Sequence, residues 1–304
     1  MDKLYYILIA VIVLVIIIIA IHYFLQKNNT NIYNEYPITF QKFDFDNYYL
    51  PKIIWIYWGN NIPICIKNIL NNNISVLKEW KINFLTDLTL YKYIPDKDLP
   101  PFQKISIQHK SDWIRLYLLE KYGGCWCDAG IIINDENAIH KLRDESINKQ
   151  SLYTGFYLDG RVMDNNLFSY VENWFIMAPE NSSIIKAWRK EYENAIQMGF
   201  YKYKKLIKKN KNLNLKKIYC SKYHIYLTAF ACFYNISEYF DPEMKKHILL
   251  NKAEDTMYKL HTECNWNHNC IHNRLNTDKS VKTIPYIKLN RGNRENFNLD
   301  NYNI

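Results

Sequence analysis

The stretch HKSDWIRLYLLEKYGGCWCDAGIII, residues 109–133, decides the fold of this chain. Its first half carries apolar side chains at helical spacing, and Asp112 and Arg115 stand three residues apart in a row beside that apolar face. The pair Gly123-Gly124 supplies the left-handed residue that ends a helix. The isoleucine run that follows predicts a buried strand with Asp128 in a bend partway along it. An acid and a guanidinium on a helix therefore meet a carboxylate on a strand, where α/β enzymes bind ligands.

Further runs predict the rest of the sheet. Residues 51–59 read as a first buried strand, residues 62–70 as a helix and residues 80–85 as a second strand. A strand, helix, strand order indicates parallel pairing with a right-handed crossover. Residues 172–179 predict a later strand and residues 283–289 a closing edge strand. The fold class is therefore α/β, with an open, mostly parallel sheet flanked by helices.

The central stretch resembles a family of sugar transferases. Members carry a Ser-Asp-x-x-Arg helix, a Tyr-Gly-Gly turn and an Asp-x-Asp bend, and here the bend is Asp128-Ala129-Gly130. The family includes initiating mannosyltransferases, glucosylating toxins and capsular polysaccharide synthesis proteins, and the last branch is the most similar. The resemblance implies a nucleotide-sugar-binding fold of the GT-A type and a glycosyltransferase, specifically a hexosyltransferase that retains anomeric configuration.

The same resemblance implies roles for residues of the central stretch. Asp128 corresponds to the first acid of the bend, a catalytic residue that contacts the donor and a divalent cation, Mn²⁺ or Mg²⁺. Asp112 would accept hydrogen bonds from the donor sugar, Arg115 would orient the donor near its phosphates, and Ser111 would cap or position the helix. Gly130 stands where relatives have the second metal-binding acid. The loss of that acid weakens the metal inference, although Mg²⁺ sites can consist of one carboxylate, diphosphate oxygens and water.

The first strand provides candidates for binding the nucleotide. In the family a similar Pro-Lys-x-Ile-x-x-x-Trp strand ends facing the donor, so Trp55 or Tyr57 is predicted to stack on the base. An aromatic side chain in a central strand is also typical of a core position. Because neighbouring strand residues face opposite sides, both assignments are testable.

The N-terminus predicts an anchor. Residues 1–3 form a short tail, and residues 4–25 are apolar enough to cross about 30 Å of hydrocarbon as a single-pass signal-anchor helix. A cleaved signal peptide is the alternative, but its apolar core is normally shorter. Residues 26–47 suit a stem, and residues 48–304 the catalytic domain. By resemblance, the anchor is type II and the catalytic domain luminal or extracytoplasmic, as in the ER or Golgi.

The basic charge of the chain is compatible with several kinds of binding partner. The net charge of +9 includes a lysine-rich segment at 202–217, which reads as a solvated face, a membrane-headgroup contact or an acidic-acceptor contact. No nucleic-acid recognition motif accompanies this segment, so no nucleic acid is expected as a partner.

The chain contains seven cysteines, an odd number, so they cannot all pair within the chain. Cys125 and Cys127 lie in the predicted core strand and are expected to be buried as small apolar side chains. Cys264 and Cys270 lie in a histidine-rich segment that predicts a local disulfide, a simple loop or a zinc site.

Three functional hypotheses follow, of which the third, a basic membrane-anchored protein that binds nucleic acid or a lipid surface, rests on the lysine-rich segment alone. The first is a membrane-anchored transferase that moves a sugar from a nucleotide-sugar donor to a glycan, glycolipid or glycoprotein acceptor. The second is a catalytically inactive GT-A-fold module that binds carbohydrate or supports assembly at a membrane. Gly130 motivates the second, because it removes one acid of the bend.

Overall fold

The labelled strands are β1 Ile53–Tyr57, β2 Lys81–Leu85, β3 Gly124–Cys127, β4 Ile131–Ile133, β5 Tyr153–Tyr157, β6 Val171–Ala178, β7 Ile248–Lys252 and β8 Tyr286–Lys288. A six-stranded sheet with the strand order β2-β1-β3-β6-β5-β7 forms the centre of the molecule. The strands β1, β2 and β3 are parallel, β6 runs against β3 and β5, and β7 is parallel to β5. The α/β class with a mostly parallel sheet is therefore confirmed.

Helices surround this sheet in the computed structural model, which describes residues 11–21, 38–102, 105–220, 224–295 and Tyr302. The labelled helices are α1 Ile64–Val76, α2 Ile107–Tyr122, α3 Glu136–Asn148, α4 Ser183–Met198, α5 Phe200–Ile207, α6 Thr228–Ser237, α7 Pro242–Lys246, α8 Lys259–Glu263, α9 His268–Thr277 and α10 Arg291–Arg294. The helix α2 packs on α4, which in turn packs on α6.

The central helix α2 ends at the predicted glycine, but it begins earlier than predicted, after a different cap. The Ser106 hydroxyl accepts a hydrogen bond from the backbone N–H of His109, so Ser106 caps the helix and Ser111 lies inside it. Gly123 ends the helix with a φ of 60°. A Cβ at this position would lie 2.6 Å from the backbone nitrogen of Glu180. Glycine is therefore required both by the conformation and by the close approach of a neighbouring chain segment.

The predicted strand through Asp128 is in fact two strands in different sheets. A turn at Asp128 is closed by a 3.0 Å hydrogen bond from the Ile131 N–H to the Asp128 carbonyl oxygen. After this turn, β4 leaves the main sheet and pairs with β8. The predicted closing edge strand at 283–289 is corrected by the same pairing, because β8 belongs to this two-stranded sheet and β7 forms the edge instead.

The N-terminal prediction is only partly covered by the structure. The chain divides into the units Met1–Thr39 and Phe40–Ile304. Residues 11–21 are helical and exposed, while the remainder of the predicted anchor and the stem up to residue 37 lie outside the described residues. None of the helices in the described part of the chain has both the length and the apolar character needed to span a membrane.

The cysteines take different roles. Cys125 and Cys127 are fully buried in β3, as predicted. Cys264 and Cys270 form a disulfide, which was one of the alternatives for the histidine-rich segment.

Candidate functional site

Asp112 and Arg115 lie on the buried face of α2, and β6 holds them there. The Arg115 Nη2 atom lies 3.2 Å from Asp112 Oδ1, and the Asn173 side-chain amide donates to the same oxygen over 2.9 Å. Arg115 also donates through Nη1 to the Asn173 carbonyl oxygen. The Asp112 and Arg115 side chains are 10% and 6% exposed. One residue of the central sheet therefore fixes the geometry of both charged groups.

The second oxygen of Asp112 faces α4. The Tyr192 hydroxyl lies 3.5 Å from Asp112 Oδ2 and 2.9 Å from His109 Nδ1. Burial lowers the pKa of His109 to about 4, so this imidazole is neutral near pH 7. Arg115 is therefore the cation that balances Asp112.

Asp128 follows β3, at the edge where the parallel strands β1 and β3 both end. Its Oδ1 atom accepts a 3.0 Å hydrogen bond from the Trp126 indole and lies 3.5 Å from Arg115 Nη2. Its Oδ2 atom accepts a 3.0 Å hydrogen bond from Lys288 Nζ. The Asp128 side chain is 27% exposed, so this carboxylate is the open part of the group.

The guanidinium of Arg115 connects the two acids. It lies within ion-pair distance of Asp112 and Asp128, and its Cζ atom is 5.0 Å from the centre of the Trp126 ring. The structure thus brings together the three charged residues that the sequence singled out. An arginine fixed by a carbonyl, two carboxylates and an aromatic face is preorganised, because it loses little side-chain freedom when a ligand binds.

The three carboxyl groups of this region differ in their pKa values. Burial raises the pKa of Asp112 to about 6, although Arg115 opposes this shift. Burial alone would also raise the pKa of Asp128, but the charges of Lys288 and Arg115 outweigh it and lower that pKa. Burial raises the pKa of Glu172 to about 7. At neutral pH Asp128 is therefore ionised, whereas Glu172 is only partly ionised.

Ser111 supports the guanidinium. Its hydroxyl accepts a 3.3 Å hydrogen bond from Arg115 Nη2, and its carbonyl oxygen accepts one of 3.4 Å from Arg115 Nε. The contact gives Ser111 a positioning role toward Arg115. The alternative that Ser111 caps the helix is wrong, because that position belongs to Ser106.

The two predicted nucleobase contacts are buried. Trp55 is 1% exposed, packs on Tyr93 and Tyr122, and donates its indole N–H to the Gly123 carbonyl oxygen over 2.9 Å. No open face of Trp55 remains for a base, so its assignment is corrected to the core. Tyr57 is 5% exposed and donates its hydroxyl to Asp87 over 2.7 Å, which places its ring in the sheet.

Three residues that sequence reasoning missed border the site. Lys288, from β8, contacts Asp128 although 160 positions separate them. Arg294, from α10, lies against the bend, because a Cβ on Gly130 would be 3.3 Å from its Nη1 atom. Its guanidinium is 5.3 Å from the ring centre of half-buried Trp58, just after β1. A lone lysine in the apolar run Tyr286–Leu289 was the one available signal.

The side chains around Asp128 do not fit a divalent cation. Within the described ranges no group of three or more His, Cys, Asp or Glu side chains is arranged to hold a metal ion. A Cβ on Gly130 would lie 2.9 Å from the Leu289 carbonyl oxygen, so a second acid there would require the backbone to shift. Two other residues of metal-binding type have structural positions: Asp135 caps α3, and His261 is buried, which lowers its pKa to about 4.

Comparison with known proteins supports the sequence resemblance. The family profile described as "Capsular polysaccharide synthesis protein" matches residues 19–276. This chain belongs to that family. An alignment of 153 positions, which covers 45% of the chain, shows 25% identity to the O-glycosyltransferase PaGT of Phomopsis amygdali. The match covers 37% of that protein. The chain is also similar to a glycosyltransferase involved in the glycosylation of the major capsid of PBCV-1. That likeness has a TM-score of 0.40 and 12% sequence identity, and it covers 81% of this chain and 98% of the other.

Proposed function

We propose that this protein transfers a sugar from a nucleotide-sugar donor to a glycan, glycolipid or glycoprotein acceptor. The observation that carries the proposal is the convergence of Asp112, Arg115 and Asp128 at the edge where β1 and β3 end, with Asp128 partly open. Membership of the capsular polysaccharide synthesis family and the likeness to part of a curated O-glycosyltransferase support it.

The proposed reaction exchanges one bond at the anomeric carbon for another. The bond to the terminal phosphate oxygen breaks, a bond to the acceptor hydroxyl oxygen forms, and the hydroxyl proton passes to the departing phosphate. Asp112 and Asp128 each retain lone pairs that can accept hydrogen bonds from sugar hydroxyls. Arg115, held between them, supplies positive charge where the reaction develops negative charge.

The finer points of the proposal come from the sequence. Retention of anomeric configuration and transfer of a hexose follow the family resemblance, and NMR of the product's anomeric proton tests both. A type II single-pass anchor at residues 4–25, with the catalytic unit luminal or extracytoplasmic, follows from the apolar run. Protease protection of the unit Phe40–Ile304 in sealed vesicles tests that orientation.

The second candidate is an inactive carbohydrate-binding or assembly module. Gly130 favours it, because an enzyme that depends on two acids at the bend would fail here. Donor binding by calorimetry without turnover over the whole donor panel would support this candidate.

The decisive experiment measures donor turnover by the full chain purified in mild detergent. A panel of UDP- and GDP-sugars is screened for nucleotide release and sugar transfer. Asp128→Asn should lower turnover on the order of 100-fold, because a preorganised charge is removed at the reacting centre. Asp96→Asn, which neutralises an exposed acid in a separate turn, should leave turnover unchanged. Equal activity of wild type and Asp128→Asn would contradict the assigned role.

A further inference from the structure

The bend at Asp128 is surrounded by protein cations. Lys288 Nζ lies 3.0 Å from Asp128 Oδ2, Arg115 lies 3.5 Å from Oδ1, and Arg294 lies against the backbone of Gly130. Both oxygens of the one carboxylate at the bend therefore already face a positive group. An incoming divalent ion would have to displace one of these cations before it could reach Asp128.

The side-chain charges of this region sum to zero or above without a metal ion. The set comprises the cations Arg115, Lys288 and Arg294 and the acids Asp112, Asp128 and Glu172. Glu172, with its pKa near 7, is partly protonated at neutral pH, so the cations then exceed the ionised acids. Such a charge balance suits an anion better than a further cation.

Among the described residues, Arg294 is the cation of this set that has no acid partner. Its guanidinium contacts the Trp58 ring, and it forms no ion pair with any acid in the part of the chain that the structure describes. Trp58 follows β1 at the strand-end edge, and its backbone N–H donates to the Leu85 carbonyl oxygen. A half-buried guanidinium at that edge with unused N–H donors matches the geometry of phosphate oxygens.

We propose that Lys288 and Arg294, in place of a divalent cation, bind the donor's diphosphate and neutralise it as it departs. This inference rests on the proposed function. Lys288 Nζ donates one N–H to Asp128, and its two other N–H groups can donate to phosphate oxygens. When the anomeric bond breaks, its electron pair moves to the phosphate oxygen, and these two cations stabilise the added charge.

Calorimetry with UDP and GDP as probes tests the proposal on the full chain. We expect the dissociation constant of the better probe in EDTA to be within about twofold of that in Mn²⁺. Arg294→Met should weaken binding in EDTA by about 10-fold or more, because a charge-assisted contact is lost. Arg291→Met is the matched control: it removes an exposed arginine of the same helix that is paired with Glu295, and affinity should not change.

Lys288 needs a test that separates binding from folding, because it is buried. Lys288→Met should weaken binding in EDTA by about 10-fold, and Lys288→Arg, which keeps the charge, should recover part of it. Thermal unfolding of each variant identifies any that fail to fold. Arg294 is half-buried at the surface, so the Arg294→Met result decides the matter even if Lys288→Met unfolds.

The outcomes distinguish this inference from the function on which it rests. Binding that disappears in EDTA and returns with Mn²⁺, together with protein-bound Mn²⁺ in the EPR spectrum, would overturn the inference and leave a metal-assisted transferase. Absence of UDP and GDP binding in both conditions would overturn the proposed function, and the inference with it.

Discussion

The two sides of the site are built in different ways. On the helix side, Asp112 and Arg115 come from one turn of α2 and are tied to Asn173 by hydrogen bonds at both charged groups. On the other side, Lys288 and Arg294 come from the C-terminal segments β8 and α10, and Arg294 has no acid partner among the described residues. The helix side is thus a closed, preorganised network, whereas the C-terminal side offers charge to a ligand.

This contrast separates stability from ligand binding. A buried ion pair that loses one member leaves an uncompensated charge, so changes on the helix side should mainly affect folding. A cation that faces a ligand site without a protein partner contributes little to folding, so a change at Arg294 should mainly affect affinity.

The largest expected effect comes from Arg115→Met. This change leaves buried Asp112 and partly open Asp128 beside each other without their shared cation, and we expect a loss of about 3–5 kcal/mol in the free energy of unfolding. Denaturant titration at neutral pH measures it. Arg291→Met, at an arginine that is 85% exposed, should cost little. A loss as small for Arg115→Met as for Arg291→Met would show that the helix side is not the closed network described above.

Glu172→Gln should give a pH-dependent effect. The folded-state pKa of Glu172, raised to about 7 from an ordinary 4.5, means that the folded protein binds the proton more tightly than the unfolded chain. Wild-type stability therefore falls as pH rises from about 4.5 to 7, and the glutamine variant lacks this loss. Relative to wild type it should gain up to about 3 kcal/mol by pH 7.5 and nothing near pH 4. A gain that is the same at both pH values would contradict the assignment.

Gly130→Asp tests whether the missing acid can be restored. We expect a loss of about 1–3 kcal/mol, because the new Cβ would lie 2.9 Å from the Leu289 carbonyl oxygen. Gly160→Asp is the matched control, since nothing lies within 4 Å of a Cβ there. Denaturant titration compares the two. If Gly130→Asp kept full stability and acquired Mn²⁺ binding, the close contact at the bend would not be what excludes the metal.

The smallest expected effect on stability comes from Trp58→Leu. Trp58 is half-buried beside Arg294, and loss of this cation–π contact should cost about 1 kcal/mol or less. If the base stacks on its open face, affinity for UDP or GDP should fall roughly tenfold. Trp55→Phe provides the contrast: it removes the buried bond to Gly123 and should lower stability by about 1 kcal/mol with affinity unchanged. If Trp55→Phe lowered the affinity and Trp58→Leu did not, the base would be assigned to Trp55 instead.

Local patterns predicted the elements but not always the sheet to which they belong. The glycine stop of α2, the first two strands and the later strand β6 all follow from periodicity and turn residues, whereas the cap at Ser106 was not predicted. The segment 131–133 has the same buried, isoleucine-rich pattern in either sheet, so sequence could not distinguish continuation of β3 from pairing with β8. The strands β5 and β7 were not predicted, because the signal weakens after Asp135.

The sequence by itself determined that an acid and an arginine share one face of a helix next to a strand-borne acid, because a spacing of three residues and a glycine stop are local properties of the chain. Only the tertiary structure decided that Trp55 is core, that Trp58 borders the open edge, and that Lys288 reaches Asp128 across 160 positions. Contacts of that sequence separation depend on how β4 pairs with β8, and pairing between distant strands leaves no periodic signal in either one.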